Sequence, residues 1–220
     1  MSPIDLTVDE VLTTTRNVRK RLDLTRPVER TVIEDCLRIA TQAPNGSNNQ
    51  EWEWIVVDDP AVRKEVAALH REGLATFVEL SSKNASVSKN HDIGRNDRGT
   101  EISASVAYLI DHLHEVPALV IPTIRTPARL EGQNVFFQAS VWGSVIQAAW
   151  SFMLALRSRG LGSSWTTLQL WREAETARLL GIPYPEYTQV CLLPVAYTIG
   201  TDFRPAQRRP PADILHWNTW

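Results

Sequence analysis

The chain has 220 residues, of which 43% are hydrophobic and 22% are charged, and its formal net charge is −2. These values are typical of a soluble globular protein that buries roughly 70% of its unfolded surface, and they exclude collagen-like and disordered chains. Because the charge is nearly balanced, no positive field covers the molecule, and we expect neither nucleic acid nor a membrane as a partner.

The two cysteines give no indication of a disulfide framework or a metal site. Cys36 and Cys191 are far apart in the sequence and lack the spacing of metal ligands. The first residues include several acidic ones and lack the basic and apolar regions of a signal peptide, and polar residues interrupt the longest apolar stretch. We therefore expect a cytoplasmic protein without a bound metal.

A basic cluster follows the first predicted helix. This helix covers residues 7–15, with Thr7 as its N-cap and acidic residues in its first turn. The cluster consists of Arg16, Arg19, Lys20 and Arg21. A second helix is predicted over residues 28–42, where apolar residues recur at helical spacing between two prolines.

An amide-rich loop comes next. Residues 43–52 read Ala-Pro-Asn-Gly-Ser-Asn-Asn-Gln-Glu-Trp and offer several hydrogen-bonding groups to a flat polar ligand. A strand over residues 54–57 and a helix over residues 61–80 are predicted after it. Residues 81–100 are mostly polar and contain few large aliphatic side chains, so we expect a mobile segment that acts as a lid.

The longest predicted element is a helix over residues 134–159. A helix over residues 102–114, a strand over residues 118–123 and a polar connection over residues 125–133 precede it. The long helix is apolar on most of its faces. This pattern predicts a helix that is buried on all sides, partly against another subunit.

The remainder of the chain alternates helices and strands before an irregular tail. Gly160 and Gly162 are predicted to end the long helix with a left-handed cap. The elements that follow are a strand over 163–167, a helix over 170–180, a central strand over 190–199 and a tail over 205–220. Since no internal repeat or linker is present, the sequence predicts one α+β domain over residues 1–220, with a mainly antiparallel sheet flanked by helices.

The basic residues allow two interpretations. Positive charge stabilises the end of a helix by ~0.3–1 kcal/mol, so the first cluster is consistent with a solvated helix end. However, four cations within six residues repel one another, and arginine forks match phosphate oxygens, which favours a phosphate site. The same two interpretations apply to Arg208 and Arg209 in the tail.

The order of these signals resembles that of the nitroreductase family. The shared order is a basic cluster, a helix, the amide loop, an aromatic strand, a long central helix, Gly-Leu-Gly-Ser-Ser-Trp at residues 160–165, and an arginine pair before a C-terminal arm. The amide loop alone is weak evidence, because Asn, Gly and Ser are common in turns. The resemblance rests on the order of the signals and covers essentially the whole chain.

The resemblance implies an intertwined homodimer with a nitroreductase-like fold and two FMN sites, each built from both chains. In family members the residues that match Arg16, Asn17 and Arg19 contact the phosphate, the ribityl chain and the pyrimidine edge of the flavin. The basic residue that matches Arg209, beside Arg208, contacts the phosphate. Many relatives carry arginine where Thr15 stands and serine where Asn17 stands, so this chain departs from the family pattern there.

Two further segments complete the implied flavin site. One is the loop that matches Pro44, Asn45, Gly46 and Asn48, which in the family comes from the partner subunit and contacts the isoalloxazine. The other is the strand that matches Trp165, Thr166, Thr167 and Leu168, which lies near flavin N5 and O4. A fixed cation such as Arg19 close to N1 and O2 would stabilise the reduced ring and raise its reduction potential.

No catalytic acid, base or nucleophile is predicted, because FMN carries the chemistry in this family. Ser163 and Ser164 lack the Gly-x-Ser-x-Gly pattern, and no Gly-x-Gly-x-x-Gly motif is present. His112 and His114 are more typical of a helix surface than of metal ligands.

The predicted activity is hydride transfer from NADPH or NADH through flavin N5 to an acceptor such as a nitroaromatic or a quinone, with ping-pong kinetics. Two alternatives stay open. One is a specialised branch of the family, namely a dehydrogenase of cyclic peptides, a reductive dehalogenase or a flavin-cleaving synthase. The other is a non-catalytic flavin-binding protein.

Overall fold

The computed structural model describes residues 3–83, 97–126, 129–130 and 132–220. The helices in these ranges are α1 (Val8–Thr14), α2 (Arg30–Ala40), α3 (Pro60–Lys83), α4 (Asp97–His112), α5 (Val135–Arg157) and α6 (Glu173–Leu180). The strands are β1 (Trp52–Val57), β2 (Ala118–Arg125), β3 (Leu161–Ser163), β4 (Tyr187–Gln189) and β5 (Leu193–Tyr197). The predicted α+β class is confirmed.

The strands form one antiparallel sheet in which β2 is central. β1 lies along one edge of β2, β4 and β5 share the other edge, and β3 pairs with β5. Leu119 and Ile121 of β2 pack into a core cluster with α3 and α4, whereas Ala118 and Val120 pack with α2 and α5. Because side chains alternate between the two faces of a strand, helices on both faces bury nearly every residue of β2.

A bulge separates β4 from β5. Thr123 pairs with Gln189, and Val120 pairs with Leu193. Between these two pairs, the β4–β5 segment contains one residue more than β2, which is the definition of a bulge. The two short strands are therefore one interrupted strand.

The bulge redirects a backbone segment towards the chain that follows β3. Pro122 has no N–H, and its carbonyl accepts a hydrogen bond from the Val190 N–H at 2.9 Å. The backbone of Leu192, two residues further on, pairs with Thr166. The Thr166 N–H donates to the Leu192 carbonyl at 3.1 Å, and the Leu192 N–H donates to the Thr166 carbonyl at 2.8 Å.

The prediction of a strand over residues 163–167 is wrong for most of its length. The regular strand β3 ends at Ser163, and Gly162 lies inside it instead of capping the preceding helix. Beyond Ser163 the chain turns away from β5 and pairs through Thr166 with the bulge. Gly160 does adopt the predicted left-handed conformation, with φ of +74°.

The first helix begins as predicted. Thr7 Oγ1 accepts a hydrogen bond from the Glu10 N–H at 3.2 Å, and Glu10 Oε2 accepts one from the Thr7 N–H at 2.8 Å. These reciprocal bonds form a capping box. The predicted N-cap, Thr7, is confirmed.

In the single chain, the long helix α5 is buried mainly over its second half, and the predicted burial of the remainder against another subunit stays a prediction. Val135, Phe136 and Phe137 in its first turn are 80%, 75% and 54% exposed, whereas Phe152 is fully buried. Within the described residues, α5 is also a helix with the length and hydropathy of a membrane span, with a mean hydropathy of 1.4. A core helix meets the same criterion, and the second half of α5 packs against α2 and the sheet.

The predicted lid over residues 81–100 is partly helical. Residues 81–83 form the end of α3, residues 97–100 form the start of α4, and residues 84–96 lie outside the described part of the chain. In the last turn of α3, Lys83 Nζ lies 2.6 Å from Glu79 Oε1, an i,i+4 pair that supports the helix. The polar composition of residues 81–83 and 97–100 is therefore that of solvated helix ends.

Candidate functional site

The basic cluster lies on the edge of the sheet between α1 and α2. Asn17 pairs with Ser163 of β3, and Leu22 pairs with Thr198 just after β5. The Val18 N–H donates to the Ser163 carbonyl at 2.8 Å. Val18 and Leu22 are buried, and they hold the charged residues between them against the core.

The side chains of the cluster differ in how their charge is compensated. Arg21 Nη2 lies 2.5 Å from Asp202 Oδ1, and Arg21 Nε donates to the Ile199 carbonyl at 2.8 Å. Arg16 Nη1 donates to the Arg204 carbonyl at 3.0 Å. Within the described part of the chain, neither Arg16 nor Arg19 forms an ion pair with a carboxylate.

A hydrogen bond joins the cluster to the segment after β3. The Trp165 N–H donates to Asn17 Oδ1 at 2.8 Å. Two groups of residues that the sequence predicted for one site are therefore adjacent in the fold. They are Arg16, Asn17 and Arg19 on one side, and Trp165, Thr166, Thr167 and Leu168 on the other.

Two cavities share Arg19 as part of their walls. The smaller, of about 240 Å³, is lined by Arg16, Asn17, Val18, Arg19, Lys20, Arg21, Ser105 and Phe203. The larger, of about 480 Å³, is lined by Arg19, His70, Leu74, Phe77, Val106, Leu109, Ile110, Trp165, Thr166, Thr167, Leu168, Leu170 and Trp171. A cationic cavity thus adjoins a mainly apolar one, and the larger volume is in the range of ligand sites.

Arg19 is a half-buried cation between the two cavities. Its Nη1 donates to Ser105 Oγ in α4, and this bond is long, at 3.3 Å. Burial lowers the pKa of Arg19, but an arginine stays charged at neutral pH. A partly desolvated cation without a carboxylate partner is costly, so the site favours an anionic or strongly polar ligand.

The helix α3 forms the inner wall of the larger cavity. A Cβ atom on Gly73 would lie 1.9 Å from the Leu168 carbonyl oxygen, so only glycine allows this close approach. Three residues earlier, His70 Nε2 lies 2.9 Å from Thr166 Oγ1. Burial, assisted by the charge of Arg71, lowers the pKa of His70 to about 4, so the ring is neutral at pH 7.

The amide loop lies on the first half of α5 and does not line either cavity. The Gly46 N–H donates to Ser144 Oγ at 2.9 Å, and the Gln50 N–H donates to Asn45 Oδ1 at 3.0 Å. The residues predicted to contact the flavin from this loop are Pro44, Asn45, Gly46 and Asn48. A single chain therefore does not bring them to Arg19, and their expected role depends on a second subunit.

The same loop is strained. Ser47, Asn48 and Gln50 have φ of 53°, 56° and 52°, in the left-handed region that residues other than glycine seldom adopt. Such strain costs of order 1–3 kcal/mol for each residue and is often found at functional sites.

The two arginines of the tail, Arg208 and Arg209, are exposed, and their side chains form hydrogen bonds with the backbone of the tail. Arg209 Nη2 donates to the Asp213 carbonyl at 2.9 Å, and Arg208 Nη1 donates to the Gln207 carbonyl at 3.0 Å. Neither residue lines the two cavities. The tail instead reaches the basic cluster through the carbonyl of Arg204 and the ring of Phe203, which lies 4.2 Å from the Arg21 guanidinium.

Several lining residues were not predicted from the sequence. His70, Leu74 and Phe77 recur at helical spacing on α3, and this spacing could have indicated a common face. Ser105 and Val106 of α4 and Phe203 of the tail are brought to the cavities by tertiary packing, for which the sequence gives no local signal.

Other reactive groups lie outside this site. Burial raises the pKa of Cys36 to about 11 and that of Cys191 well above its usual value, so neither thiol is a nucleophile at neutral pH. His112 Nδ1 lies 2.7 Å from Glu115 Oε1 at the end of α4. In the described ranges, no group of three or more His, Cys, Asp or Glu side chains could hold a metal ion.

Solved structures with the same fold cover nearly the whole chain. A BluB-like flavoprotein from Clostridium difficile 630 has a TM-score of 0.71 and 18% identity, over 98% of this chain and all of that one. An iodotyrosine deiodinase bound to FMN and 3-iodo-L-tyrosine has a TM-score of 0.69 and 21% identity, over 97% of this chain and all of that one.

An FMN- and NADPH-dependent nitroreductase, NfnB from sphigopyxis sp. strain HMH, has a TM-score of 0.67 and 20% identity, over 98% of this chain and all of that one. No curated protein matches the chain. The family model that describes the nitroreductase family matches residues 12–197, which include the basic cluster, both cavity-lining helices and the segment after β3. The chain belongs to the nitroreductase family.

Proposed function

We infer that the chain binds FMN in the two cavities and is an NAD(P)H-dependent oxidoreductase. The observation that carries this inference is the position of Arg19 between a cationic cavity and a larger apolar one. FMN has a phosphate at one end and a planar ring at the other, so its chemistry matches this pair of cavities. Family membership and the fold shared with FMN-binding proteins support the assignment.

The residues of the chain would hold the two ends of FMN differently. Arg16 and Lys20 of the smaller cavity supply charge for the phosphate, since Arg21 is already paired with Asp202. Asn17 binds the backbone of Trp165 and so fixes the distance between the phosphate end and the ring end. Arg19 would stabilise negative charge on the polar edge of the ring, because it is fixed and partly desolvated.

FMN bound in this way would accept hydride from NADPH or NADH at N5 and pass electrons to an acceptor such as a nitroaromatic or a quinone. The apolar and aromatic wall made by Phe77, Trp165 and Trp171 would exclude water from the ring. Since the donor and the acceptor would use the same face of the cavity in turn, we expect ping-pong kinetics.

A homodimer is part of this proposal. Several large apolar side chains are exposed in the single chain, including Phe136 and Phe137 of α5 and Trp217 and Trp220 of the tail. Exposed apolar side chains are the kind of surface that a partner protein covers. A second subunit would cover this surface. It would also bring the amide loop, and with it Asn45 and Gly46, towards the flavin of the other chain.

The absorption spectrum of the purified protein tests the proposal. We expect a yellow protein that releases FMN and not FAD on denaturation, and whose flavin absorbance bleaches when NADPH or NADH is added without oxygen. A colourless protein that takes up no FMN would refute the assignment. Bound FMN that neither nicotinamide reduces would refute the NAD(P)H-dependent activity and favour a specialised branch of the family or a non-catalytic flavin protein.

A further inference from the structure

His70 is a buried polar residue that the proposed function does not use. It lies in α3, is 1% exposed, and lines the larger cavity together with Thr166. The distance of 2.9 Å between His70 Nε2 and Thr166 Oγ1 is that of a hydrogen bond. The low pKa of about 4, caused by burial and by Arg71, means that this bond involves a neutral ring at pH 7.

The hydroxyl is the group of Thr166 that can contact a ligand. Its backbone N–H and carbonyl are both paired with Leu192 at the bulge. The backbone of Thr166 is thus fixed by Leu192, while its side chain is hydrogen-bonded to His70 and lines the cavity beside it.

The position of the imidazole proton follows from the partners of the two ring nitrogens. His70 Nδ1 is buried and has no hydrogen-bond partner among the described residues. Because a buried N–H without an acceptor is rarely tolerated, the proton belongs on Nε2, which then donates to Thr166 Oγ1. The hydroxyl hydrogen of Thr166 is left for a different acceptor.

We propose that His70 is a positioning residue that donates its Nε2–H to Thr166 and so directs the Thr166 hydroxyl hydrogen to an acceptor atom of the planar ring bound in the larger cavity. The acceptor is a ring carbonyl oxygen or an unprotonated ring nitrogen, the acceptor types that a flavin has along its polar edge. The inference rests on the proposed FMN site and adds to it a residue pair from two different elements.

The tautomer can be tested without any flavin. In ¹⁵N NMR spectra of the flavin-free protein near pH 7, we expect His70 to be protonated at Nε2 and unprotonated at Nδ1. A ring protonated at Nδ1, or at both nitrogens, would overturn the proposal. This measurement does not depend on whether the chain is an oxidoreductase.

A double-mutant cycle on FMN affinity tests the coupling. His70→Phe keeps a ring of similar size but has no donor, and Thr166→Val removes the hydroxyl with little change in shape. We expect each change to weaken FMN binding about two- to tenfold, measured by quenching of flavin fluorescence, and the double variant to bind no more weakly than the weaker single variant. Thr166→Ser should bind like the wild type, as should the control His114→Phe at the surface.

The outcomes separate this inference from the function on which it rests. If the losses of His70→Phe and Thr166→Val simply add, His70 only fills space, and the inference is wrong while the FMN site stands. If the wild-type protein binds no FMN, both are wrong. If His70→Phe does not fold, the comparison of Thr166→Val with Thr166→Ser decides, because equal affinities would exclude a hydroxyl contact.

Discussion

Acid should destabilise this protein through His70, and the size of the effect follows from its burial. The pKa of His70 is about 4 in the folded chain, and an exposed histidine in the unfolded chain has a pKa of about 6.5. Between these values the unfolded state binds a proton that the folded state does not, so stability falls as the pH falls. The contribution is fully present above pH 6.5, and about 2 kcal/mol of it is lost by pH 5 and about 3 kcal/mol by pH 4.

Urea unfolding followed by tryptophan fluorescence measures this loss. The free energy of unfolding would be determined at pH 7, 6 and 5 for the wild type and for His70→Phe, at one fixed protein concentration. The wild type should lose about 2 kcal/mol more than the variant between pH 7 and pH 5. Equal losses in the two proteins would refute the reasoning, because they would mean that His70 titrates normally and is not buried as a neutral ring.

Four further predictions concern the site and the assembly. Arg19→Gln should weaken FMN binding by about 10- to 150-fold, since a charge-assisted contact contributes about 1.5–3 kcal/mol, and the surface control Arg38→Gln should bind normally; equal affinities would remove Arg19 from the site. Gly73→Ala should lower the Tm, because its Cβ would lie 1.9 Å from the Leu168 carbonyl oxygen, and an unchanged Tm would contradict the close approach. Arg209→Ala should weaken FMN retention with little change in Tm, and light scattering should show a dimer; a monomer that retains flavin would argue against the shared site.

The correctly predicted elements are those that local sequence determines. The N-cap at Thr7 depends on residues within the first helical turn, and the apolar spacing of α2 is a property of one helix. Gly160 requires only a local left-handed conformation. In each case the information lies within a few neighbouring residues.

The errors come from contacts between distant residues. The segment after Ser163 was predicted as a strand because its composition suits one, but its hydrogen bonds are decided by a bulge about 30 residues later, at Leu192. The exposure of Phe136 and Phe137 depends on which surfaces meet across subunits, and amphipathic spacing within one chain does not carry that information.

The candidate site was only partly predictable for the same reason. The family resemblance indicated Arg19 and Thr166, and the fold brings both to one cavity. His70 carries no motif, and its relation to Thr166 arises from the close packing of α3 at Gly73. The amide loop and Arg209 were predicted for the same site, but in a single chain they lie elsewhere, and their role stays a prediction that depends on the dimer.

The bulge between β4 and β5 interrupts the sheet directly beside the backbone segment that supports the cavity wall. Deleting Cys191 would remove the extra residue and let the two short strands join into one continuous ladder beside β2. The two hydrogen bonds between the Leu192 and Thr166 backbones, which hold the cavity wall, lie directly beside that residue, so the deletion tests whether the wall depends on the irregular strand. The less regular sheet at this point therefore comes with a backbone segment that is hydrogen-bonded to the cavity wall.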